Sequence, residues 1–247
     1  MCTVTVVPTR ETVRLACNRD ELRSRPAARP PHIQRFGYRR AVLPVDPASG
    51  GTWVAVNDAW LAMTILNVNQ EDSGRKLTVL PRSRGTIIPH LLGCDTLASA
   101  LSHATALKPT LYAPFRLVLT DRKELAEVRS DGRHVWLVSR TALAESLFFT
   151  SSGLGDHLVE KPRRQLFLEF FSRPGDLVAR QENFHRHHWP ERPHLSVCMR
   201  REDARTVSHT VVSLGRDRVT LTYHPDAPDQ PAVPVAVSIG LRTGGAR

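Results

Sequence analysis

The first twenty-two residues, MCTVTVVPTRETVRLACNRDEL (1–22), decide how the rest of this chain is read. Apolar and β-branched residues fill 2–7 and 12–17, and Pro8-Thr9-Arg10-Glu11 between them carries turn chemistry, so the stretch predicts a β-hairpin. Facing residues in an antiparallel pair have numbers with a constant sum. A turn centred near residues 9 and 10 sets Cys2 against Cys17 or Asn18, and the chain runs straight on into Asn18-Arg19-Asp20-Glu21. An amide, a guanidinium and two carboxylates are therefore expected around residue 2.

That neighbourhood gives Cys2 a chemical reading. Initiator Met is removed when the second residue is small, and Cys qualifies. The product would carry a thiol and a free α-amine on one residue. With a reference pKa of about 7.7–8.0, the amine is partly neutral near pH 7 and can serve as general base for its own side chain. Asp20 could hold the amine by a charge-assisted hydrogen bond, and Arg19 could stabilise a thiolate.

Working outward, strands are expected at 52–56 and 62–66, after a Pro- and Arg-rich loop at 24–34. Helical spacing follows at 87–92 and 96–106, with Asp95 as N-cap of the second. More strands are expected at 115–120, 125–129, 135–139 and 147–150, with turns at Asp121 and Asp131-Gly132. Helices at 157–171 and 177–187 are separated by Arg173-Pro174-Gly175. Strands return at 195–199, 206–213 and 218–223. Runs of strands alternating with runs of helices argue for an α+β layered domain rather than a parallel βαβ sheet. One domain is expected over 1–223, followed by a Pro-rich tail, 224–247, with room for a last strand at 235–239.

Bulk properties narrow the function classes. At 247 residues the chain can bury a full core. No apolar run approaches the ~20 residues of a membrane helix, and the start does not read as a signal peptide, so the protein is expected to be cytoplasmic without membrane insertion. Four cysteines, at 2, 17, 94 and 198, form no C-x-x-C pair, which speaks against a zinc site or disulfide framework. The formal charge of +10 comes almost wholly from arginines spread along the chain. Without an aromatic-interleaved basic motif, nucleic acid is not the expected partner; a small anionic molecule is. His185, His187 and His188 do not share one helix face, so no metal is expected there.

Several segments together resemble the NRDE family, which includes the Transport and Golgi organisation 2 proteins. They are Met1-Cys2-Thr3, Asn18-Arg19-Asp20-Glu21, Arg25-Pro26 and Gly50-Gly51-Thr52-Trp53-Val54-Ala55-Val56-Asn57; Ser83-Arg84-Gly85 resembles a further short motif of that family. The resemblance implies the four-layer αββα sandwich of N-terminal-nucleophile (Ntn) hydrolases. A more distant likeness is to choloylglycine hydrolase and penicillin V acylase, which also begin Met-Cys-Thr and end the second strand in Arg-Asn-x-Asp. Asn18 and Asp20 match there, while Cys17 stands where those enzymes have the Arg. Ile65-Leu66-Asn67 resembles the segment whose Asn contributes to their oxyanion hole. Thr150-Ser151-Ser152 stands where they have Thr-Asn, putting Ser151 in place of an amide. Arg163 or Arg164 resembles their helical arginine.

Two functional expectations follow. The first is a cysteine hydrolase of an amide bond, with Cys2, Asn18, Arg19, Asp20, Asn67 and Ser151 in the catalytic set, Arg84, Arg163 and Arg164 receiving an acidic substrate, and no cofactor. The second, implied by the resemblance, is a non-catalytic protein that handles haem or acyl-CoA.

Overall fold

The computed structural model describes residues 2–69 and 82–240. β1 (Cys2–Pro8) and β2 (Val13–Leu22) form the expected hairpin. Pro8 stays in the ladder opposite Val13, which moves the turn to 9–12, where Thr9 N donates to Thr12 O at 2.8 Å. The register is shifted accordingly. Cys2 lies opposite Arg19, Thr3 opposite Asn18 and Val4 opposite Cys17, not Cys2 opposite Cys17 or Asn18.

Because side chains alternate along a strand, this register sorts the first residues onto two faces. Cys2, Val4, Cys17 and Arg19 point one way; Thr3, Thr5 and Asn18 point the other.

The hairpin lies in a six-stranded antiparallel sheet, which β10 (Leu147–Thr150), β11 (Ala204–Leu214), β12 (Arg218–His224) and β13 (Val235–Gly240) complete in the order β10-β1-β2-β11-β12-β13. A seven-stranded antiparallel sheet runs in simple sequence order: β3 (Arg29–Phe36), β4 (Arg39–Val45), β5 (Val54–Asn57), β6 (Ala62–Asn67), β7 (Phe115–Thr120), β8 (Glu124–Ser130) and β9 (Val135–Ala142). Val4, Val6, Leu15 and Cys17 of the first sheet share one buried core with Val54, Val56, Met63, Leu117 and Val128 of the second.

Helices cover both outer faces. α1 (Ile87–Leu91) and α2 (Leu97–Thr105) pack on the seven-stranded sheet, and α3 (Asp156–Phe171) and α4 (Leu177–Arg186) on the six-stranded one. Phe148, Leu166, Phe167, Phe184 and Val197 seal the latter contact. The result is a four-layer αββα sandwich. No helix among the described residues is long and apolar enough to cross a membrane.

Four local expectations are corrected. β2 does not stop at Cys17 but carries Asn18 to Asp20 into the buried sheet. The expected loop at 24–34 is mostly β3, whose register shifts between Arg29 and His32 because Pro30 and Pro31 cannot donate to a ladder. The N-cap of α2 is Thr96, in a capping box with Ser99, while Asp95 pairs with Tyr38 and Arg39. Residues 195–199 are turns, since their carbonyls serve side chains: Leu195 O and Ser196 O accept from Arg163, and Val197 O from Asn18.

Candidate active site

Cys2 reaches the seam between the sheets and lines a cavity of about 300 Å³. Arg19, Glu21 and Arg25 come from the same sheet end, while Asp46, Thr52, Trp53, Ile65 and Asn67 come from the facing layer. Ser83, Arg84 and Gly85 close the remaining side.

The backbone of Cys2 is held by Ser151, the residue that follows β10. Its nitrogen donates to Ser151 Oγ at 3.2 Å, and its carbonyl accepts from Ser151 N at 2.9 Å. The sulfur shares one face of the hairpin with that of Cys17. The Cys17 thiol as a neighbour pulls the Cys2 thiol below its ordinary range; burial opposes the shift, and the Arg19 charge assists it. The same interaction, with burial, pushes the Cys17 thiol well up. Of the two, Cys2 is the more acidic.

Arg19 is buried and stacks over the Trp53 ring with its guanidinium carbon 4.2 Å from the centroid. Its Nη2 lies 3.1 Å from Asp46 Oδ2 and 3.8 Å from Glu21 Oε1. Arg25 Nε also donates to Asp46 Oδ2, at 3.0 Å. Burial raises the Asp46 carboxyl, but Arg25, Arg19 and the Ala48 N–H outweigh it and hold the group below the usual carboxylate range. Asp46 and Glu21 thus largely spend the charge of Arg19 and Arg25. Arg84 differs. Its Nη1 donates to Pro114 O at 2.9 Å, it makes no ion pair with a described residue, and burial lowers its pKa. Like Arg82, which also lines the cavity and forms no ion pair with a described residue, it has charge left to offer. The indole N–H of Trp53 is buried without a hydrogen-bond partner among the described residues.

The expected site residues divide into two groups. Cys2, Arg19, Asn67 and Arg84 line the cavity, and Ser151 holds Cys2 from behind. Asn18 points to the other face of the sheet. Its Nδ2 donates to His185 O at 2.8 Å and Val197 O at 3.0 Å, and its Oδ1 meets His185 Nδ1 and His209 Nδ1 at 3.1 and 2.7 Å. Asp20 is buried within β2 and accepts from Thr206 Oγ1 at 2.6 Å; burial pushes its carboxyl up against the opposing charge of Arg163. Arg163 lies fully buried under β1, donating to Thr3 Oγ1 and Thr150 Oγ1, both at 2.8 Å. Arg164 is remote from the cavity: it pairs with Glu160 and covers Phe148. Met1, whose removal the sequence leads one to expect, lies outside the described residues.

The histidines do not converge. His185 is buried against Thr5 and Asn18, His187 tilts against Trp189, and His188 meets Cys198 O. No group of three metal-ligating side chains occurs among the described residues. Asp46 and the role of Trp53 escaped sequence reasoning, whereas Cys17 was expected beside Cys2. The run Asp46-Pro47-Ala48-Ser49-Gly50-Gly51 reads as a turn, and only the pairing of Arg19 across the seam reveals its carboxylate as part of the site.

Comparison with solved structures gives the fold an independent footing. An N-acylethanolamine-hydrolyzing acid amidase ortholog from Caenorhabditis elegans superposes with a TM-score of 0.56 at 11% identity, covering 93% of this chain and 94% of that one. Two variants of the conjugated bile acid hydrolase from Clostridium perfringens give TM-scores of 0.52 and 0.50, at 11% and 10% identity. They cover 96% and 99% of this chain, and 92% and 94% of theirs. At such identities the likeness shows a shared Ntn-hydrolase fold. No curated protein matches in sequence. The family profile for Transport and Golgi organisation 2 matches residues 1–166, two-thirds of the sequence and all of the segments that build the cavity, and the chain belongs to that family.

Proposed function

We propose that this protein is an N-terminal cysteine hydrolase of a carbon–nitrogen amide bond in a small anionic substrate, acting in the cytoplasm. The observation that carries the reading is the setting of Cys2: an acidified thiol at a cavity wall, its own nitrogen against Ser151 Oγ. With Met1 removed, that nitrogen becomes an amine able to take the thiol proton. The thiolate attacks the amide carbonyl. Asn67 and a backbone N–H hold the oxyanion, a contribution of about 3–4 kcal/mol for one good donor. The Cys2 ammonium returns its proton to the leaving amine, and water then hydrolyses the thioester.

Arg84 is the receptor for an acidic group on the substrate, since it forms no ion pair with a described carboxylate and Glu21 acts on it only at longer range. A cavity of about 300 Å³ is at the small end for ligand sites and suits a compact molecule.

Intact-mass analysis asks first whether Met1 is gone. Iodoacetamide titration then asks whether Cys2 reacts faster near neutral pH than a free peptide thiol, and turnover of N-acylated amino acids should vanish in Cys2→Ala. Retained Met1 together with ordinary alkylation kinetics would remove the hydrolase reading. The arginine side chains at 82 and 84 favour a second reading, a carrier for haem or acyl-CoA. It predicts a haem absorbance shift or a CoA-dependent rise in Tm that survives in Cys2→Ala.

A further inference from the structure

Cys17 takes no part in the hydrolytic scheme, yet it is buried on the same face of the hairpin as the nucleophile. Cys2 lies opposite Arg19 and Cys17 opposite Val4, so the two sulfurs occupy diagonal positions on one face of a single hairpin. Diagonal neighbours on a strand pair lie about 7–8 Å apart at Cα and less at Cβ. Reaching the disulfide range of roughly 4.4–6.8 Å therefore requires Cys2, the first residue of β1, to shift toward Cys17 and away from its Ser151 bonds. Cys2 reaches the cavity, whereas Cys17 is wholly buried behind it.

We propose that Cys2 and Cys17 form a reversible dithiol/disulfide pair, in which Cys2 is the site of oxidation by hydroperoxides and Cys17 the resolving thiol. The Cys2 thiolate attacks the distal oxygen of a hydroperoxide. The peroxide bond breaks, Cys2 becomes a sulfenic acid, and the alcohol or water leaves. The Cys17 sulfur then displaces hydroxide from the Cys2 sulfenic acid. A disulfide forms, and the Cys17 proton departs in the water released. An external dithiol restores both thiols.

The other cysteines lie away from this hairpin face: Cys94 Sγ meets His103 Nδ1 at 3.8 Å, and Cys198 Sγ donates to Asp229 Oδ1 at 3.3 Å. Bridging draws Cys2 off Ser151 and removes the thiolate, so the same event switches off any chemistry that depends on it. Capture by Cys17 also spares Cys2 from the sulfinic and sulfonic states, which simple thiols do not reverse.

The test treats the purified full chain with hydrogen peroxide and reads intact mass, then peptide maps. The expected wild-type product has lost two hydrogens, joins the peptides bearing residues 2 and 17, and returns to the starting mass with dithiothreitol. Cys17→Ala should instead add two or three oxygens at Cys2, unrecovered by dithiothreitol, and Cys17→Ser should behave alike if alanine disturbs folding. Alkylating Cys2 in the wild type beforehand should abolish the loss of hydrogens. Oxygen addition at Cys2 in the wild type matching that in Cys17→Ala would overturn the proposal. So would a bridge to Cys94 or Cys198. The same spectrum reports whether Met1 is present, and the pair needs no free amine, so this result and the hydrolase reading can fail separately.

Discussion

A Cβ at residue 51 would sit 2.4 Å from the carbonyl carbon of Gly85 and 2.5 Å from its oxygen. Thr52 N donates to that same oxygen at 2.9 Å, so two distant motif segments, Gly50-Gly51-Thr52-Trp53 and Ser83-Arg84-Gly85, meet backbone to backbone at the cavity wall. Gly51→Ala is therefore expected to cost about 1–3 kcal/mol in a urea melt, as forced overpacking does; a wild-type midpoint would mean the two segments do not touch. Alternation along β2 separates two neighbours in the same way. Asn18→Ala strips acceptors from two imidazoles and a donor from two carbonyls, and should lose about 3 kcal/mol. The folded fraction should still alkylate at Cys2 at the wild-type rate. Arg19→Met should do the reverse: with one positive neighbour gone, the Cys2 thiol rises and alkylation near pH 7 slows. Equal effects from both variants would contradict the assignment of the two side chains to opposite faces.

At the scale of elements, α4 is latched to the six-stranded sheet by neutral imidazoles. Burial lowers His185 well below its ordinary value, and burial takes His209 to about 3. In the unfolded chain both titrate near 6.5. Their neutral forms therefore contribute stability that is fully present above about pH 6.5 and is lost as pH falls toward the folded values, by up to about 1.4 kcal/mol per pH unit for each group. Melts between pH 7 and 5 should show this slope, and His209→Gln should flatten it; an unchanged slope would mean His209 is protonated when folded. This contact was the least legible part of the chain. The helices themselves were visible in 3.6-residue spacing, but the buried roles of His185 and Asn18 depend on β11, which brings His209 from far along the sequence. β3 was invisible for a different reason: it is a largely exposed edge strand with two prolines and little alternation. β2 outran its expected end because Arg19 and Asp20 are tolerated in a buried strand only through partners supplied by other elements. The hairpin, the layer order and the cavity positions of Cys2, Asn67 and Arg84 were readable, since they rest on local pattern and on motif segments that lie close to the strand ends.

At the scale of the whole molecule, the candidate site is a seam between two sheets, and Asp46 fastens it. Its carboxylate accepts from Arg19 and Arg25 of the six-stranded side and from Ala48 N at 3.0 Å, while its own N–H donates to Gly51 O at 2.8 Å. The turn that shapes one cavity wall and the arginine beside the nucleophile thus hang on one side chain. Asp46→Asn should be destabilising by about 3 kcal/mol or more, because it leaves the buried Arg19 without its nearest countercharge. The same change should make Cys2 more reactive, since Arg19 then acts on the thiolate with less of its charge neutralised. Acid should mimic the first effect: the Asp46 pKa is depressed, so its contribution is complete above the ordinary carboxylate pKa near 3.9 and disappears as pH falls through the lower folded value. Chemical denaturation of the variant alongside iodoacetamide kinetics at pH 7 reads both quantities. Lower stability with faster alkylation is the expected pair, and a destabilised variant whose Cys2 reacts no faster would mean that Arg19 braces the seam without tuning the sulfur.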